Sequence, residues 1–178
     1  MITNTQMKDL LSEVHGAGLD KSLPEDLQET VDTGWKRGPR GLLSPGEEHW
    51  NPVPTAGPQE LMCAEIDLND FRVDDDDLVA EPGTYLEKVT LRAFLFAGKC
   101  LERARTLEEG HDLHAVVCTS VDEDFLTHGS TVRFFLRRGE LPARYEDLER
   151  FAIEAIALLG LNDLSNTSYR TLDELFRP

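Results

Sequence analysis

A chain of 178 residues favours one domain over two, and it is long enough to bury roughly 70% of its extended-state surface without disulfides or a structural metal. Thirty-four acidic residues against 18 basic ones give a formal charge of −16, which argues against nucleic acid as a partner because phosphate neutralisation needs Lys and Arg in excess. The hydrophobic fraction of 40% is too high for a disordered acidic tail.

The start of the chain, residues 1–9, lacks the basic and apolar regions of a secretory signal, and the longest strictly apolar runs, such as 93–97, are five residues. No membrane association is expected, and the expected location is cytoplasmic. Cys63, Cys100 and Cys118 are odd in number and widely spaced, so they read as reduced thiols, neither a disulfide framework nor a zinc site.

In chain order, Met7, Leu10, Leu11 and Val14 form one helical stripe, and Leu27 and Val31 mark a second short helix. Residues 34–58 hold five glycines and five prolines with both tryptophans, Trp35 and Trp50, so regular structure is not expected there. Trp35, Lys36, Arg37 and Arg40 form the one compact basic-aromatic cluster. It is expected to fold back on the acidic body, the alternative being that it contributes Trp and Arg anchors to a protein interface. Over 61–71, Met62, Ala64, Ile66 and Leu68 alternate with Cys63, Glu65, Asp67 and Asn69, which predicts a half-buried strand with an acidic outer face. A long apolar stripe from Leu86 to Ala104, with Leu91, Leu95 and Phe96 filling its sides, predicts the central helix. Residues 113–121 and 131–138 read as two strands of an antiparallel hairpin. Leu148, Phe151, Ala152, Ala155, Ile156 and Leu159 predict an amphipathic helix stopped by Gly160, and Leu172, Leu175 and Phe176 a last short helix. The expected fold is α+β in the order ααβαββαα, an antiparallel sheet of at least three strands with helices packed on one face. It is read as a single domain over 1–178, comprising helices (1–33), an arm (34–60) and a compact core (61–178).

Phosphate-loop, dinucleotide and nucleophile-elbow signatures are missing, and Asp67-x-Asn69 opens like a calcium loop but places Phe71 at its third ligand position. Three of the five histidines, His111, His114 and His128, accompany Asp112, Asp122, Glu123 and Asp124 around the hairpin. The first two histidines lie at one end of a strand and Asp122 to His128 at the other. About seven residues at ~3.3 Å each keep one ion from collecting both ends. Cys118 shares a strand face with His114, but four residues separate them by about 13 Å, too far for direct activation of a thiolate.

The distinctive feature is acidic. Between Glu65 and Glu81 eight acids face one Arg72, and four of them, Asp74, Asp75, Asp76 and Asp77, are consecutive. Mutual repulsion is expected to hold these four in water or against a cation. No family resemblance is read from these residues, and no cofactor, metal or catalytic residue is assigned. The expectation is a non-enzymatic acidic binding protein, an immunity- or antitoxin-type inhibitor that docks on a basic toxin or nuclease. Glu65, Asp67 and Asp74 to Asp77 would supply the charge, with Trp35 and Trp50 as anchors. The alternatives are a small metal- or acid–base-dependent enzyme using His114, His128 and Asp122 to Asp124, or an accessory scaffold subunit.

Overall fold

The computed structural model describes residues 1–14, 21–46, 57–78, 82–121 and 129–177. Among these lie five α-helices: α1 (Thr5–Glu13), α2 (Glu25–Thr33), α3 (Pro58–Leu68), α4 (Pro82–Arg103) and α5 (Arg170–Phe176). Seven strands accompany them: β1 (Ile2–Thr3), β2 (Trp35–Arg37), β3 (Leu43–Pro45), β4 (Asp70–Arg72), β5 (Leu113–Ser120), β6 (Ser130–Leu136) and β7 (Glu154–Gly160). The main sheet runs β1-β7-β5-β6-β4 with every pair antiparallel, and β2 and β3 form a separate hairpin. The α+β class and the antiparallel sheet follow the sequence reading, and α1, α2, α4, β5, β6 and α5 fall where the apolar periodicity puts them.

Two elements differ from that reading, and the order ααβαββαα changes with them. The stretch 61–71, expected as a strand, is mostly helix α3. Its buried stripe is Met62, Glu65, Ile66 and Asn69, spaced i, i+3, i+4, i+7, and two of these four residues are polar. The polar pair removes the helical hydrophobic signal, and the apolar residues that remain alternate. The stretch 154–160, expected inside a helix, is strand β7, which lies between β1 and β5 and is buried from Ala155 onward. A strand buried on both faces reads as a continuous apolar run, which periodicity does not separate from a buried helix.

The sheet has a core on each face. On one, Ala115, Val117, Phe134 and Ala157 meet α4, with α1, α2 and α5 arranged around that helix. On the other, Val116, Phe135, Ile156 and Leu158 meet Met62 and Ile66 of α3 together with Tyr145 and Leu148 from two 3-10 turns. Helices therefore cover both faces, not one. Asn4 locks the chain start to the sheet: its Oδ1 accepts from Met7 N at 3.0 Å, capping α1, and from Ile156 N at 2.9 Å, while Nδ2 donates to the Glu154 carbonyl at 2.7 Å.

The arm also departs from expectation, because 35–45 is the β2–β3 hairpin, turning through Arg40 and Gly41, both at positive φ. Trp35 sets its ring edge against Phe134 at 5.4 Å, and its indole N–H donates to the Cys100 carbonyl at 2.8 Å. Arg37 pairs with Glu109 at 2.7 Å. Trp35 and Arg37 of the basic-aromatic cluster thus fold back on the body, and Trp35 belongs to the core contacts and not to a free anchor. Trp50 lies outside the described residues.

The hairpin, α3 and β6 meet at one buried ion pair. Glu65 has no exposed surface. Its Oε1 accepts from Leu43 N and Arg138 Nη2, both at 2.8 Å, and its Oε2 from Leu136 N at 2.8 Å and Arg138 Nη1 at 2.6 Å. Glu65 is therefore withdrawn from any contact surface. Removing its carboxylate leaves a half-buried guanidinium and two backbone N–H groups without their acceptor, so Glu65→Ala is expected to cost about 3–5 kcal/mol. Urea unfolding followed by circular dichroism measures that loss.

Candidate functional site

The acidic turn is built by alternation, with residues pointing in and out of the body. Val73 is buried and its N–H donates to the Ser130 carbonyl at 2.9 Å, so the chain leaves β4 still tied to β6. Leu78 is buried at the other end, and its N–H donates to the Asp75 carbonyl at 2.8 Å. Between these anchors Asp74, Asp76 and Asp77 are exposed, whereas Asp75 is 7% exposed. The expectation that all four aspartates sit in water or against a cation is corrected here: Asp75 turns inward and its Oδ2 accepts the hydrogen bond of the buried Tyr85 hydroxyl. Burial, and then the Asp75 carboxylate, push the Tyr85 phenol up from its ordinary pKa.

Arg92, two turns further along the same face of α4, clamps the outer side. Its Nη1 donates to the Asp74 carbonyl and to Asp77 Oδ1, and its Nη2 to Asp77 Oδ2, each at 2.7 Å. This forked contact holds the Asp77 carboxyl below its ordinary range. Asp74 Oδ1 in turn accepts from Asp76 N at 3.2 Å. One carboxylate oxygen from each of Asp74, Asp75 and Asp76 lies within 4.8 Å of the others. Asp75 is already committed to Tyr85, with Arg72 4.0 Å away, so this cluster is not a prepared cation cage.

The other acids of the stretch are neutralised by arginines distant in sequence. Asp67 pairs with Arg144 at 3.4 Å, Asp70 with Arg133 at 3.0 Å, and Glu65 with Arg138 as described. Seven described acids from Glu65 to Asp77 therefore face five arginines, Arg72, Arg92, Arg133, Arg138 and Arg144. The local net charge is −2, and Asp74 and Asp76 carry no ion pair among the described residues. Sequence counting missed this because four of the five arginines come from α4, β6 and the segments after β6.

Of the candidate catalytic residues, His111, Asp112, His114 and Cys118 are among the described residues. His114 opens β5, stacked on Phe135 with ring centroids 5.7 Å apart, and its Nδ1 lies 2.9 Å from the Asp112 carbonyl. That contact assigns the proton to Nδ1. The β5–β6 connection begins beyond Ser120, at the opposite end of the strand, and Asp122, Glu123, Asp124 and His128 lie outside the described residues. Cys118 faces the second core, where burial and the neighbouring Glu154 push its thiol up to about 12, far from a thiolate nucleophile. No protein family, curated protein or solved structure matches this chain.

Burial lowers the pKa of His114, which favours the neutral ring in the folded state. The unfolded chain, with an ordinary value of about 6.5, then binds the proton first, so stability is full above that pH and falls as pH drops toward the folded-state pKa. The urea midpoint is expected to decline between pH 7 and 5, and His114→Phe to flatten that decline. Under native conditions at pH 8 a thiol reagent is expected to label half-buried Cys63, leaving buried Cys100 and Cys118 unmodified until the protein unfolds. Mass spectrometry of the labelled peptides distinguishes the three.

Proposed function

We propose that this chain is a non-enzymatic acidic binding protein that docks a basic protein partner on the Asp74–Asp77 turn, as an immunity- or antitoxin-type inhibitor docks a cationic toxin or nuclease. The observation that carries the reading is the construction of the turn. Val73, Asp75 and Leu78 are held inward and Arg92 grips one side, while the carboxylates of Asp74 and Asp76 face outward without a counter-ion among the described residues. Charges fixed in this way lose little conformational freedom when a cation arrives, so more of their attraction appears as affinity and association rate. The contact set is smaller than the acidic run in the sequence. Asp74 and Asp76 lead it, with Asp77 and Asp67 at its margin, where each already shares its charge with an arginine.

A lysine decapeptide is a suitable cationic probe, titrated against the full chain by fluorescence anisotropy at several salt concentrations. Asp74→Asn with Asp76→Asn is expected to weaken binding roughly threefold to tenfold at low salt and to flatten the salt dependence. Glu25→Gln with Glu29→Gln changes the net charge equally on exposed α2 and is expected to leave binding near the parent value. Equal weakening by both pairs would reduce the effect to bulk charge and remove the turn as the docking site.

A further inference from the structure

A cleft of about 630 Å³ opens between the C-terminal half of α4, α5 and the 3-10 turn Leu161–Leu164. Its floor is apolar, formed by Leu95, Gly98, Leu164, Leu175 and Phe176. The close approach of α5 depends on Gly98, since a Cβ there would stand 2.8 Å from the Phe176 ring. Ligand pockets of small molecules occupy roughly 300–1,000 Å³, with apolar walls and a few polar groups that fix orientation.

The rim has the sign opposite to the rest of the protein. Lys21, Lys99, Arg105 and Arg177 line it against Glu102 and Asp173, a net charge of +2 on a chain of −16. The acids are already taken: Glu102 receives Arg105 Nε at 2.7 Å, and Asp173 pairs with Arg177. The lysines are held in place by neutral acceptors. Lys21 Nζ donates to the Arg177 carbonyl at 2.7 Å, and Lys99 Nζ to Gln28 Oε1 at 3.1 Å and, at 3.5 Å, to the Lys21 carbonyl. Neither ammonium forms an ion pair among the described residues, so two positioned positive charges stand at the mouth of an apolar cleft.

We infer that this cleft binds a small amphipathic carboxylate, its acyl chain on the Leu164–Phe176 floor and its headgroup between Lys21 and Lys99. The volume suits a chain of medium length, and the headgroup meets two cations that form no ion pair among the described residues. This site is independent of the docking surface, because it lies on other residues and takes the opposite charge.

Decanoate is the probe, titrated against the full chain by calorimetry and by amide chemical shifts. Saturable binding is expected, with shifts at Gly98, Leu164, Ser165 and Phe176. Decyltrimethylammonium, which has the same chain and the opposite charge, is expected to bind at least tenfold more weakly. Lys21→Gln with Lys99→Gln is expected to weaken decanoate about tenfold, equivalent to ~1.4 kcal/mol, and to leave decanol unaffected. Both lysines are solvent-accessible, and an unchanged unfolding temperature confirms that the variant folds. Equal binding of the anionic and cationic amphiphiles, absence of saturation, shifts confined elsewhere, or unchanged decanoate affinity in the double variant would each overturn the assignment. The Asp74→Asn, Asp76→Asn protein is expected to bind decanoate as the parent does, so failure of either site leaves the other standing.

Discussion

The Glu65–Arg138 pair is the constraint through which two otherwise separate sheets become one body. β4 pairs with β6 only as far as Asp70 opposite Arg133, and beyond that point no strand among the described residues hydrogen-bonds to that edge of β6. The backbone groups that a longer β4 would have met are met by side chains of α3 instead. Asn69 Nδ2 donates to the Phe134 carbonyl at 3.2 Å and Glu65 accepts from Leu136 N at 2.8 Å. The same two side chains reach β3, where Asn69 donates to the Leu43 carbonyl and Glu65 accepts from Leu43 N, each at 2.8 Å. Arg138 closes the assembly by donating to the Gly41 carbonyl at 3.0 Å, inside the hairpin turn. Two polar residues on one buried helical stripe thus substitute for a strand on two edges at once. That explains why charge is tolerated there, since every buried donor it faces would otherwise be orphaned.

This substitution also explains what the sequence conceals. A helix whose buried face is half polar cannot be found by a rule that equates burial with apolarity, and Met62, Glu65, Ile66 and Asn69 break that rule at alternate positions. β7 fails in the opposite direction: Ala155 to Leu159 are apolar on both sides because the strand sits between β1 and β5 with cores above and below. The elements read correctly, such as α4 and the β5–β6 hairpin, have side chains that keep their period or a turn between them that marks the reversal. Of the candidate site, the acidic run itself was legible, whereas its orientation was not. Which aspartate faces inward depends on Tyr85 ten residues away, and which acids are neutralised depends on arginines on other elements. Linear charge counting has no access to either.

Helix α4 then sets the relation between the two surfaces. Its N-terminal half holds the acidic turn through Tyr85 and Arg92, and its C-terminal half supplies Leu95, Gly98 and Lys99 to the cleft. Arg92, the nearer of the two contacts, stands seven residues before Lys99 on one continuous helix, about 10 Å along its axis. The Debye length at physiological salt is ~8 Å, so salt weakens the attraction between the carboxylates of the turn and the lysines of the cleft. The local sign at each end is therefore governed by the side chains within a few ångströms of it and not by the total of −16. A protein with a large negative charge can in this way keep a cationic cleft on the same rigid rod that presents its acids, because the packing of α4 against β5 and β6 fixes the separation that solvent and salt then exploit.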